Sequence, residues 1–259
     1  MSAQPSPTET GMTLVEHLTE LRTRLVICVV AVAIGMLVAF FAYEWIFDFL
    51  IHPYRQIAND NNSLTGGDLL QTDPLEGFGV RMRSSAYVGI ALAMPVLLWQ
   101  IWQFVTPGLY PHERRYALPF VISALVLFVL GAGLAYYTLP RALDFLIDIA
   151  GEGFVTAFSA GKYFQLITYM MLAFGVGFEF PIVLIFLQMA GVLDASTLRR
   201  GRRYAVVGIC ILVAVITPSG DPISMLMLSV PMVVFYEAAI IIGSMITKRQ
   251  AAKAAVTGG

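Results

Sequence analysis

Glu16 and Glu20 stand four residues apart in the sequence, and Arg24 follows Glu20 at the same interval. In a helix that spacing puts all three side chains on one face. An ordinary surface helix with an i,i+4 Glu–Arg pair shows the same pattern, and there the pair contributes only about 0.3 kcal/mol. What sets this segment apart is a second acid, Glu113, beside Arg114 and Arg115 in a tight break framed by Pro107 and Pro111. Two carboxylates on one side of a membrane can jointly receive two guanidinium groups. Arginine's planar fork makes paired, charged hydrogen bonds to a carboxylate that lysine cannot make, so such a site would tell Arg-Arg from Lys-Lys.

Two further acids lie within apolar runs. Glu179 falls near the middle of the run around Phe174 to Pro181, and Glu237 sits among Val234, Phe235, Tyr236 and Ala238. An ionised carboxylate at such a depth costs several kcal/mol unless it is paired, protonated or in a wet cavity. A neutral Glu bonded to a neighbouring helix is the structural reading, and a proton relay between the two is the functional one. Asp221 precedes Pro222, which marks an N-cap with Pro at the first helical position. It is also the only acid in its hairpin, Thr217 to Pro222. Trp99 and Trp102 fit an interfacial aromatic belt, and Gln100 and Gln103 can bond across helices. No nucleophile, metal or cofactor constellation emerges: His17, His52 and His112 fall in separate segments. Cys28 and Cys210 both lie in apolar runs, where they act as small hydrophobes.

These residues need elements to hold them, and composition names the kind. Of 259 residues 58% are hydrophobic and 13% charged, against about 25% charged in soluble domains, which points to a polytopic membrane protein. The mean hydropathy of +0.77 agrees. Basic residues are few and scattered over loops, which excludes a nucleic-acid surface. The first apolar run is too long for a signal-peptide core and lacks a small-residue cleavage site.

Six spans are expected in an all-α bundle. Residues 1–11 read as a disordered tail, 12–247 as the membrane domain and 248–259 as a second tail. Thr13 and Glu16 form a capping box, and Leu14, Leu18, Leu21 and Leu25 give an amphipathic helix along the membrane surface. Spans follow at about 26–50, 77–104 (kinked at Pro95), 118–139 and 163–189. A polar loop carrying Pro53 is expected after the first, and an interfacial helix over 141–149. The last two spans are expected to be short. Tyr204 to Ile216 makes only about 20 Å of helix against a hydrocarbon core of about 30 Å, and Pro231 interrupts the run from Ile223 to Ile246. Local thinning of the bilayer would follow. With both termini inside, eleven Lys/Arg residues lie on the inner side and five on the outer, so the positive-inside rule favours cytoplasmic termini.

Five stretches now line up in order: 17–25, 73–78, 102–115, 178–181 and 216–222, reading HLTELRTRL, DPLEGF, WQFVTPGLYPHERR, FEFP and ITPSGDP. Together they resemble the TatC family, the core component of the twin-arginine, Sec-independent protein translocase. The resemblance implies a six-helix, glove-shaped protein of the bacterial cytoplasmic membrane. Such a protein has no cofactor, binds twin-arginine signal peptides of folded proteins, and assembles with further copies and with single-span TatA and TatB partners, driven by the proton-motive force. Carried onto this chain, the signal site maps to Glu20 and Glu113 with Arg22 and Phe104 nearby. Glu179 maps to the family's intramembrane acid and Asp221 to its acid in the last outer turn, where Ser219-Gly220 is an addition. A different class of function, a proton-coupled solute transporter using Glu179 and Glu237, would call for an internal repeat and paired broken helices, which the sequence lacks.

Overall fold

Uninterrupted apolar stretches leave the backbone only its own hydrogen bonds to make in lipid, and the chain folds accordingly into helices. The computed structural model describes residues 14–60, 68–105, 117–151, 158–189 and 191–257, with side chains described for 18–57, 68–104, 118–151, 158–189 and 191–245. In chain order the helices are α1 (Leu14–Phe41), α2 (Tyr43–Asp60), α3 (Glu76–Val105), α4 (Ala117–Ala150), α5 (Ala160–Phe178), α6 (Phe180–Met189), α7 (Ala195–Arg200), α8 (Arg202–Ile216) and α9 (Pro222–Thr257). Among the described residues five stretches are long and apolar enough to cross a membrane: Leu18–Phe41, Glu76–Phe104, Leu118–Ala150, Ala160–Met189 and Pro222–Met245. The remaining expected span is α8, whose 15 residues reach only about 22 Å.

Several boundaries depart from the sequence reading. The surface helix and the first span are one continuous α1, since neither Gly nor Pro falls between Leu14 and Ile34 to break it. That span ends at Phe41 rather than near residue 50. Ala42 alone separates it from α2, and the bonds Ala42 N–H to Val38 O and Ile46 N–H to Ala42 O carry the chain across. The expected loop through Pro53 is instead the helix α2, which buries Leu50, Ile51, Tyr54 and Ile57 along one face. The expected interfacial helix at 141–149 is the end of α4, which continues through Pro140 because Leu139, Ala142 and Leu143 are buried on both sides of it. Pro231 likewise sits inside an unbroken α9, held by buried Leu228, Met232 and Tyr236. Helix α9 continues beyond its apolar span, which ends at Met245, to Thr257.

Helix α5 lies at the centre, with Tyr163, Phe164, Ile167, Met170 and Phe174 all at 1% exposure or less. Helix α4 packs on one side of it and α3 on another, while α9 packs against α6, α8 and α4. Without a hydrophobic drive between helices in lipid, close backbone approach does the work. At the α1–α3 crossing, a Cβ on Gly35 would stand 2.5 Å from the Gly89 carbonyl oxygen, and one on Gly89 would stand 2.5 Å from the Met36 nitrogen. The outward face of α1 is left to lipid, with Leu25, Val29, Ile34 and Leu37 all more than half exposed.

Candidate functional site

Where α3 ends, α1 brings a polar cluster against it. Arg24 lies one turn beyond Glu20 on α1, and its Nε donates to Glu20 Oε1 at 3.0 Å while its Nη2 donates to the same oxygen. Its Nη1 reaches across to α3, donating to Gln103 Oε1 at 2.6 Å and Gln100 Oε1 at 3.3 Å. The cross-helix role expected for the two glutamines is therefore met by an arginine. Both partners of the ion pair are about four-fifths buried, so screening by water is weaker than on an open surface. Glu20 Oε2 is buried and has no hydrogen-bond partner among the described residues. Leaving a buried acceptor unmet costs roughly 1–3 kcal/mol.

The structure brings Glu20 to the α3 segment that ends in Phe104, which is half-buried and adjacent to Gln103. Arg22 is exposed on the same stretch of α1. Glu113, Arg114 and Arg115 lie outside the described residues, as do Thr13 and the 1–11 tail. Trp102 is buried among the helices rather than turned outward, 3% exposed, its ring 4.5 Å from Phe120 and 6.0 Å from Phe186.

Glu179 occupies the break between α5 and α6. Pro181 has no N–H to continue the ladder, so the helix restarts there. The Glu179 carbonyl accepts from Ile182 N at 3.0 Å and Val183 N at 3.1 Å. Its carboxyl Oε1 is buried and unpartnered among the described residues. Glu237 is a different case. It is 39% exposed and pairs with Arg202 at 2.7 Å, so it is no isolated buried acid. The sequence missed this because Arg202 opens another helix, α8. Asp221 is 2% exposed and caps α9: Ser224 N–H donates to Oδ1 at 2.6 Å, and the Ser219 hydroxyl donates to Oδ2. Ser219 thus supplies the second oxygen's partner.

One acid escaped assignment from sequence. Glu76 opens α3 and takes the Gly161 N–H on Oε1 at 2.6 Å and the Thr72 N–H on Oε2 at 2.6 Å, together with the hydroxyls of Ser159 and Thr72. It fastens α3 to the start of α5 beside a one-residue bridge between Leu70 and Ser159. The available signal was Asp73, whose Oδ1 accepts the Leu75 N–H at 2.7 Å in a turn that sets Glu76 at the helix start. Further along α3, a cleft of about 300 Å³ opens between α2, α3, α4 and α5, with Phe49, Tyr87, Ala91, Phe128 and Leu172 among its walls.

A helical bundle with lipid-facing flanks, an apolar cleft and an arginine-paired carboxylate at one end defines a polytopic membrane protein. The chain matches the family described as TatC, Sec-independent protein translocase protein, over residues 16–231. The TatC protein of Frankia casuarinae is 38% identical over 94% of this chain and 68% of its own length. For that of Aquifex aeolicus the figures are 35%, 92% and 98%. The chain spans 60% of the longer relative from Corynebacterium kroppenstedtii. A crystal structure of the twin arginine translocase receptor TatC superposes with a TM-score of 0.73 at 35% identity, covering 90% of this chain and all of that one. This chain belongs to the TatC family and is a membrane component of a Sec-independent protein translocase.

Proposed function

We propose that this chain is the receptor core of a twin-arginine translocase in the bacterial cytoplasmic membrane, with both termini in the cytoplasm. Glu20 and Glu113 receive the two guanidinium groups of a signal peptide, with Arg22 and Phe104 at the rim. The observation that carries this reading is Glu20 itself: a carboxylate four-fifths buried where α1 meets the end of α3, already dressed for a guanidinium, with one oxygen unpartnered among the described residues. Carboxylate pairs of this kind distinguish arginine from lysine by fork geometry rather than by charge.

From Gln103 back to Ala91 is twelve residues of α3, or about 18 Å. A helical apolar segment attached to an arginine pair at Glu20 therefore reaches the cleft lined by Ala91, Tyr87 and Phe128. Helix α8 buries only Ile209 and Val213, while Tyr204, Ile211 and Val215 are exposed, which leaves a face for single-span partners of the TatA and TatB kind. Export is driven by the proton-motive force, and further copies of the chain complete the assembly. The solute-transporter reading loses its second acid, because Glu237 is paired to Arg202.

Photo-crosslinking tests the site. A twin-arginine precursor peptide is expected to label residues around Glu20 and the 102–115 segment, and an Arg-Arg to Lys-Lys change in the peptide to abolish the label. Labelling that survives that exchange sinks the receptor reading.

A further inference from the structure

Glu20 does not wait empty for a guanidinium; it holds one that belongs to its own helix. Both Nε and Nη2 of Arg24 close on Oε1, so the fork grips a single oxygen and leaves Oε2 with no partner among the described residues. An incoming arginine limited to Oε2 has one acceptor, whereas the parallel fork-to-fork pairing uses both oxygens. Arg24 must therefore leave Oε1 for a ligand to be held fully. The structure gives it somewhere to go. Its Nη1 already bonds Gln103 at 2.6 Å and Gln100 at 3.3 Å on α3, two amide carbonyls that keep the guanidinium hydrogen-bonded after it lets go of the acid.

We propose that Arg24 is an internal competitor for the signal's arginine, and that one guanidinium must be exchanged for another on Glu20 before the ligand is held by both oxygens. An ammonium group is a point charge with no fork, so it can settle on Oε2 alone and leave Arg24 in place. The competition therefore lowers affinity for arginine more than for lysine. This inference rests on the receptor reading of Glu20.

The test uses the purified full-length chain in nanodiscs and a fluorescent twin-arginine peptide followed by anisotropy, beside its Lys-Lys counterpart. Arg24→Gln is expected to tighten twin-arginine binding about tenfold, the scale of one charge-assisted hydrogen bond. It should tighten the Lys-Lys peptide less, so that discrimination widens. Arg24→Lys, which keeps the charge and the fold but removes the fork, should fall between. Gln103→Ala removes the resting place and should weaken binding severalfold. If Arg24→Gln and Arg24→Lys both weaken the two peptides alike, Arg24 is only a strut and the proposal is overturned. Glu20→Gln separates the levels. Lost binding there without tightening in the Arg24 variants rejects the competitor alone, and unchanged binding there rejects the receptor reading beneath it.

Discussion

Helix α3 is fastened at both ends through a carboxylate, and the two fastenings differ in kind. At its first residue Glu76 receives two backbone N–H groups and two hydroxyls, so both oxygens are used. At its last turn the acid is Glu20 on α1, linked to α3 through Arg24, with one oxygen doubly bonded to Arg24 and the other unpartnered among the described residues. A carboxylate whose acceptors are all taken by its own chain is a fixture. One left half-used in a nearly buried place holds capacity for something else, and the unmet acceptor costs stability while it waits. Asp221 belongs with Glu76, with both oxygens occupied in its turn, and Glu179 belongs with Glu20.

That contrast can be broken by substitution. Glu76→Gln should lower the thermal midpoint in detergent by at least several degrees while leaving twin-arginine peptide affinity within about twofold, because one amide oxygen cannot serve four donors. A loss of peptide affinity as large as that of a Glu20 variant would erase the distinction. Asp221→Ala should cost about 1 kcal/mol in denaturant unfolding, the usual loss for an N-cap, and Asp221→Asn or Asp221→Ser should recover most of it. Failure of both to recover it would mean the carboxylate does more than cap. The smallest effect is expected for Glu237→Gln. Its pair with Arg202 is 39% and 50% exposed, so the change should be below about 0.5 kcal/mol and vanish in high salt. A larger, salt-independent loss would move Glu237 into the class of Glu179.

How much of this could be read from the chain differs by residue. The short α8 and the cap at Asp221 are local properties of pattern and turn chemistry, and they are found in the structure where the sequence puts them, as are the long apolar runs apart from their ends. The pairing of Gln100 and Gln103 across helices was legible, but not its partner, since Arg24 lies 76 residues from Gln100. Pro53, Pro140 and Pro231 were read as breaks because proline removes one backbone bond. Burial of their neighbours outweighs that loss and keeps α2, α4 and α9 continuous. Trp102 matched an interfacial aromatic in type and position, yet Phe120 and Phe186 enclose it. Glu76 was missed because half its donors come from Ser159 and Gly161, more than 80 residues on.

The crossing of α1 and α3 at Gly35 and Gly89 has a mechanical consequence. With backbone on backbone there, the two rods can rock about that point but cannot spread apart without losing it. Glu20 lies fifteen residues from this fulcrum on one side, about 22 Å, while Phe40, which carries the Arg81 contact, lies five residues away on the other, about 8 Å. The lever arms stand near three to one, so a pull on the long arm arrives at the short arm reduced in travel and multiplied in force.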